Sequence, residues 1–136
     1  MSQITTWDEF PTVEYVKGVH RQTVSGEKVM MTRIVYSGGV VIPEHSHEAE
    51  QIMLLVSGRL WAKVADEEQE VGPGSLLVIP GNWIHAFRQL GDEDVVFYEA
   101  FAPIRLEYLV GFKGPDPSLQ MMHRAFDETG ETDRKV

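Results

Sequence analysis

Before residue 104 the chain never sustains a helical period; instead, short β-rich runs succeed one another, and the breaks between them carry glycine, proline, asparagine or clustered acids. Residues 18–25 and 28–36 flank Ser25-Gly26-Glu27 and read as a hairpin. In the second run Met30, Thr32, Ile34 and Tyr36 alternate with Val29, Met31, Arg33 and Val35; both sets are largely apolar, as in a strand inside a sandwich or barrel. Further strands are predicted at 40–43, 51–57, 59–65, 69–71, 75–79, 83–89 and 95–101, with the acidic residues 66–68 as a turn. Many short strands at turn spacing imply an all-β barrel or sandwich. Residues 1–17 read as an edge strand or a partner-contacting arm. Beyond Pro103 the pattern changes: Gly114-Pro115-Asp116-Pro117 breaks the chain, Ser118 caps a short helix through Phe126, and a charged tail follows. The predicted division is a barrel over 1–112 and a C-terminal extension over 113–136.

A chain of 136 residues that is 43% apolar can bury one core, so a single domain is expected. It has no cysteine, which excludes disulfides, thiolate metal sites and cysteine nucleophiles. No basic segment precedes an apolar one at the N-terminus, and no apolar run approaches a membrane span, so a cytoplasmic protein is expected. The 12 Lys and Arg against 21 Asp and Glu give a formal charge of −9. That field repels phosphate backbones and anionic membranes, which argues against both partners. It also disfavours a small anion unless cations in a site outweigh it locally.

The stretch that draws the chemistry is Gly39 to Gln51, which contains His45-Ser46-His47. On an extended chain side chains two apart share a face, so both imidazoles can meet one ion. A lone His-x-His is a weak signal. Its register strengthens it: Gly39, His45, His47, Gln51 and Gly58 resemble the first motif of the cupin superfamily, and Gly74, Pro80 and His85 resemble the second. The resemblance implies a cupin barrel, a double-stranded β-helix of jelly-roll type. Two positions of the second motif depart from it, Asn82 for glycine and Gln89 for asparagine. Asparagine tolerates the left-handed backbone, so the turn at Asn82 is expected to survive.

Neutral imidazoles of His45, His47 and His85 make a strong site for one divalent transition metal (Zn, Ni, Mn or Fe), with the Gln51 amide oxygen as a weaker, neutral fourth ligand. The superfamily usually has an acid at that position. A neutral ligand leaves the site one unit more positive, which favours Lewis-acid polarisation over stabilisation of oxidised iron. Glu50 is the rival ligand, but it lies one residue short of the motif and faces the other side of the strand.

Gln51, with Glu99-Ala-Phe101-Ala-Pro103-Ile-Arg105, looks like the KdgF-type cupins, which open unsaturated uronates to their linear keto form. The resemblance implies catalytic roles for Glu99, in place of their Asp, and for Arg105, with Phe101 beside them. Met53, Trp83, Phe97, Phe101 and Arg105 are the expected substrate contacts; Met53 replaces a polar Gln, and Trp83 precedes His85 by two. His20 and His123 are expected on the surface.

The leading expectation is therefore a metal-dependent isomerase or lyase acting on a small oxygenated substrate, in a homodimer. An iron-dependent oxygenase or polyketide-type cyclase on an apolar substrate is the second expectation. A metal-dependent binding or sensor module without turnover is the third.

Overall fold

A computed structural model describes residues 3–109. Ten strands follow in order: β1 (Val13–Val16), β2 (Val19–Ser25), β3 (Met30–Tyr36), β4 (Val41–His45), β5 (Glu50–Ser57), β6 (Arg59–Val64), β7 (Glu67–Val71), β8 (Leu76–Ile79), β9 (His85–Leu90) and β10 (Val95–Ala102). They form a six-stranded sheet, β1-β2-β3-β10-β5-β8, and a four-stranded sheet, β4-β9-β6-β7. The all-β jelly-roll expected from the sequence is the fold observed. The tail helix expected from Ser118, the boundary at 112 and His123 lie outside the described residues. Among the described residues no helix is long and apolar enough to cross a membrane.

Strand β10 sits at the centre of the larger sheet, antiparallel to β3 and to β5. Period-two alternation turns Val95, Phe97, Glu99 and Phe101 inward. The neighbours contribute Ile34 and Tyr36 from β3 and Met53 and Leu55 from β5. The smaller sheet answers with Ile42, Leu60, Ala62 and Phe87. The core is the space between the two inner faces, and each large apolar side chain buried there contributes roughly 1.5–3 kcal/mol.

Several expected boundaries move by one or two residues, and two of the shifts have a clear cause. Glu67 and Glu68 belong to β7, because a tight turn at Ala65 and Asp66, with Ala65 at φ 51°, lets β7 pair with β6 directly. A solvent-facing edge strand tolerates a run of acids that composition alone reads as a turn. The strand carrying His85 also begins at His85, which leaves Trp83 and Ile84 in the preceding loop. At the N-terminus, β1 is the expected edge strand, and the preceding segment folds onto its own sheet. The Gln22 amide donates to the carbonyls of Trp7 (2.9 Å) and Phe10 (3.1 Å), and the Trp7 ring lies 5.9 Å from that of Tyr98.

Gln89 shows why the departure from the motif asparagine is tolerated. Its Oε1 accepts from the backbone N–H of Gly39 (3.0 Å) and Val40 (2.9 Å), while Nε2 donates to the carbonyls of Glu93 (3.0 Å) and Tyr36 (3.3 Å). One buried amide thus pins the β3–β4 turn to β9, just ahead of the histidine strand. Gln89→Ala leaves those backbone groups without partners and is expected to cost about 3 kcal/mol, read as a lower urea midpoint with an unchanged slope. A loss under about 0.5 kcal/mol would show that the pin is dispensable.

Candidate functional site

The site grows from a strand end, a loop and a strand start. β4 ends at His45, β9 begins at His85, and the two are register partners. His47 lies in the short loop before β5. The β8–β9 turn docks on that loop: Asn82, at φ 67°, donates its N–H to the His47 carbonyl at 2.7 Å. The left-handed conformation expected of Asn82 is therefore present. The approach is so close that a Cβ on Gly81 would stand 2.5 Å from the Glu48 carbonyl oxygen. This docking carries His85 to the histidine pair. The ring of His85 lies 4.3 Å from that of His45 and 4.9 Å from that of His47, and one ring nitrogen from each falls within 4.8 Å of the others.

Each imidazole is held by its own neighbourhood. Nδ1 of His45 donates to the Pro43 carbonyl (2.9 Å), Nδ1 of His47 to the Ala49 carbonyl (2.8 Å), and Nδ1 of His85 to the Trp83 carbonyl (2.8 Å). A carbonyl only accepts, so Nδ1 carries the proton and the neutral ring presents its Nε2 lone pair. Burial holds His45 well below its ordinary pKa and pushes His85 down to about 4, so both are neutral at pH 7. His85 Nε2 is buried without a hydrogen-bond partner, and an orphaned lone pair of this kind fits a metal ion.

Gln51, at the start of β5, is 2% exposed and points inward. Its Nε2 donates to Glu99 Oε2, and its Oε1 stands 3.1 Å from His47 Nε2. With the His47 proton on Nδ1, two acceptors face each other, and a cation between them would resolve the conflict. Glu50 is exposed on the other side of the strand, so the alternation separates the two candidates as expected. Three imidazoles could hold a metal ion here, and the neutral nitrogen-rich donor set suits a borderline divalent transition ion.

Glu99 lies on β10 opposite Thr32 and Met53. Thr32 Oγ1 donates to Glu99 Oε1 at 3.0 Å. Burial raises the Glu99 carboxyl to about 7, against the Thr32 hydrogen bond and the charges of Arg105 and Arg21, which pull it down. One cavity is lined by His45, His85, Gln51, Glu99, Phe97 and Arg105. Arg105, 4% exposed, donates from Nε to Glu107 Oε1 at 2.9 Å and stacks on Tyr108 and Phe101. Phe101 is buried, with its ring 5.7 Å from that of His47.

Two expected substrate contacts lie elsewhere. Trp83 is 50% exposed, and only its backbone carbonyl serves the cluster. Period two does not extend back from His85, because the strand starts there. Met53 is fully buried in the apolar core rather than on the cavity wall. Conversely, sequence reasoning passed over Arg21, Thr32 and Tyr108. Arg21 and Thr32 both occupy inward positions of β-strands, a polar residue in an apolar alternation, which is the signal that singled out Glu99.

Residues 31–101 match the model of the cupin domain. The chain belongs to the cupin family. Among solved structures, this cupin is similar to an RmlC-like cupin from Shewanella frigidimarina (TM-score 0.73, 16% identity, covering 80% of this chain and 97% of that one). It is similar also to KdgF from Halomonas sp. (TM-score 0.73, 23% identity, 80% and 100% covered). The cupin domain of Cnp3 from Schizosaccharomyces pombe superposes with a TM-score of 0.64 at 12% identity, over 77% of this chain and 72% of that one. At these identities the likeness is one of fold. A search of curated protein sequences found no match.

The docked turn gives this cupin a remote test. Gly81→Ala forces the turn away from Glu48 and is expected to lower retained metal at least tenfold, read by elemental analysis after dialysis. Trp83→Ala, by contrast, keeps the carbonyl and is expected to leave metal content unchanged. Equal metal loss in both would contradict the placement of Trp83.

Proposed function

We propose that this cupin is a metal-dependent, non-redox enzyme of the isomerase or lyase type, acting on a small oxygenated acid such as an unsaturated uronate. The observation that carries the reading is the Gln51 amide set between His47 and Glu99. One neutral side chain faces the histidine cluster with its oxygen and orients a carboxyl with its nitrogen. His45, His47, His85 and Gln51 would hold the ion. A divalent ion bound there supplies Lewis acidity to a substrate oxygen.

The chain's own residues do the rest. Glu99 is held at both oxygens, by Thr32 and Gln51, so its carboxyl has one orientation toward the cavity. A carboxyl shielded from water, with a pKa near 7, can take up and return a proton at neutral pH. Phe101 and Phe97 keep water from that side, and Arg105 adds positive charge to the wall. The Glu99-Ala-Phe101-Ala-Pro103-Ile-Arg105 segment resembles that of KdgF-type proteins, and the Halomonas KdgF fold supports the choice of substrate. A homodimer is part of the same proposal, supported by exposed Ile52, Leu54, Val56, Leu76 and Val78 on the outer face of β5 and β8.

Glu99→Gln keeps an acceptor for the Gln51 amide but cannot transfer the proton. Turnover of a 4,5-unsaturated uronate, followed by loss of its ultraviolet absorbance, is expected to fall about 10²–10⁴-fold with metal content unchanged. Undiminished turnover would remove Glu99 from the mechanism. Elemental analysis of Gln51→Ala is expected to show metal lost relative to wild type. Oxygen uptake by iron-loaded protein would favour the oxygenase instead. Sedimentation at micromolar concentration is expected to give twice the chain mass, and a monomer would remove the dimer.

A further inference from the structure

The cavity contains a second guanidinium. Arg21, on β2, is 6% exposed and lines the same space as Glu99 and His85. Its Nε and Nη1 are buried with no hydrogen-bond partner. Among the described residues no carboxylate lies within ion-pair distance of it. Glu99, a carboxylate lining the same cavity, has its oxygens engaged by Thr32 and Gln51. Arg105 is different, because it has Glu107 as a partner.

Both cations share a ring. The Arg21 guanidinium carbon lies 3.8 Å from the Tyr108 centroid and 4.6 Å from that of Tyr15, and the Arg105 carbon lies 3.9 Å from the Tyr108 centroid. Aromatic faces stabilise a cation without using its N–H groups. Arg21 is thus held in place by two rings while its donors remain unspent. An unpaired buried charge is among the costlier features a fold can retain. In a chain of net charge −9, Arg21 and Arg105 concentrate positive charge on the wall of this cavity.

We propose that Arg21 is the carboxylate-binding residue of the cavity, and that the ligand is a small polyoxygenated carboxylate with its acid group on Arg21 and a hydroxyl or carbonyl oxygen toward the histidines. The inference deepens the proposed function by assigning the anchor for the substrate's acid group. It rests on that reading only for the ligand's second end.

The test uses binding rather than turnover. D-glucuronate is titrated by calorimetry into the full-length protein, metal-loaded and chelator-treated, with D-glucose as the uncharged control. The chelator-treated wild type is expected to bind glucuronate at least tenfold more tightly than glucose. Arg21→Gln and Arg21→Met are expected to weaken glucuronate binding ~10–100-fold in both forms, as for a lost charge-assisted hydrogen bond. Without ligand, Arg21→Met is expected to unfold at or above the wild-type temperature, since it removes an unpaired buried charge. Glucuronate binding within threefold of wild type in either variant overturns the proposal. Binding lost on chelation alone does so too, because the carboxylate then sits on the metal. Should neither variant fold, the arginine Nε–H resonances of the wild type decide: the slowly exchanging Arg21 signal must move with glucuronate and not with glucose. Failure of the unsaturated-uronate assay with these binding results intact would refute the activity and leave Arg21's role standing.

Discussion

Three imidazoles can converge on one point only if something other than the ligand aims them. Here the aiming is done by backbone carbonyls two residues away, at Pro43, Ala49 and Trp83, each accepting from an Nδ1. The tethers are short-range, so each ring is oriented by its own stretch of chain. What the barrel adds is proximity: β4–β9 pairing joins His45 to His85, and the Asn82 contact brings the β8–β9 turn to His47. Local tethering and long-range register thus do separate jobs, and a defect in either would misplace a lone pair by more than coordination tolerates.

Gln51 translates this geometry into electrostatics. An amide has one donor end and one acceptor end, and the two are not interchangeable once Glu99 takes the donor. A carboxylate in its place would face Glu99 with like charge. The neutral side chain therefore allows an acid, Glu99, to be buried one strand away, beside the arginines of the cavity wall.

Much of this was legible in the sequence, for specific reasons. The inward set of β10 followed from alternation, and His45, His47, Gln51 and His85 followed from the resemblance to the two cupin motifs. Asn82 disclosed its backbone through its own chemistry. Three kinds of information were hidden. Strand starts are set by pairing, so Trp83 was placed on a face that does not exist before His85. On β5 the outward Ile52, Leu54 and Val56 are as apolar as the inward Met53 and Leu55, so hydrophobicity could not separate pocket from core for Met53. Arg21 acquires its meaning only from Tyr15 and Tyr108, which lie far from it in sequence or across a turn, and no local pattern announces a ring contact.

The histidines and Gln51 do not belong to one sheet. His45 and His85 stand on the four-stranded sheet, whereas Gln51 and its partner Glu99 stand on the six-stranded one. An ion gripped by all four would be a rivet between the two halves of the sandwich, and parting the sheets would mean stripping its coordination shell. Occupancy and the opening motions of the barrel would then be thermodynamically linked, with saturation at a hundred times Kd worth about 2.7 kcal/mol against unfolding. The same joint would set how readily the barrel breathes.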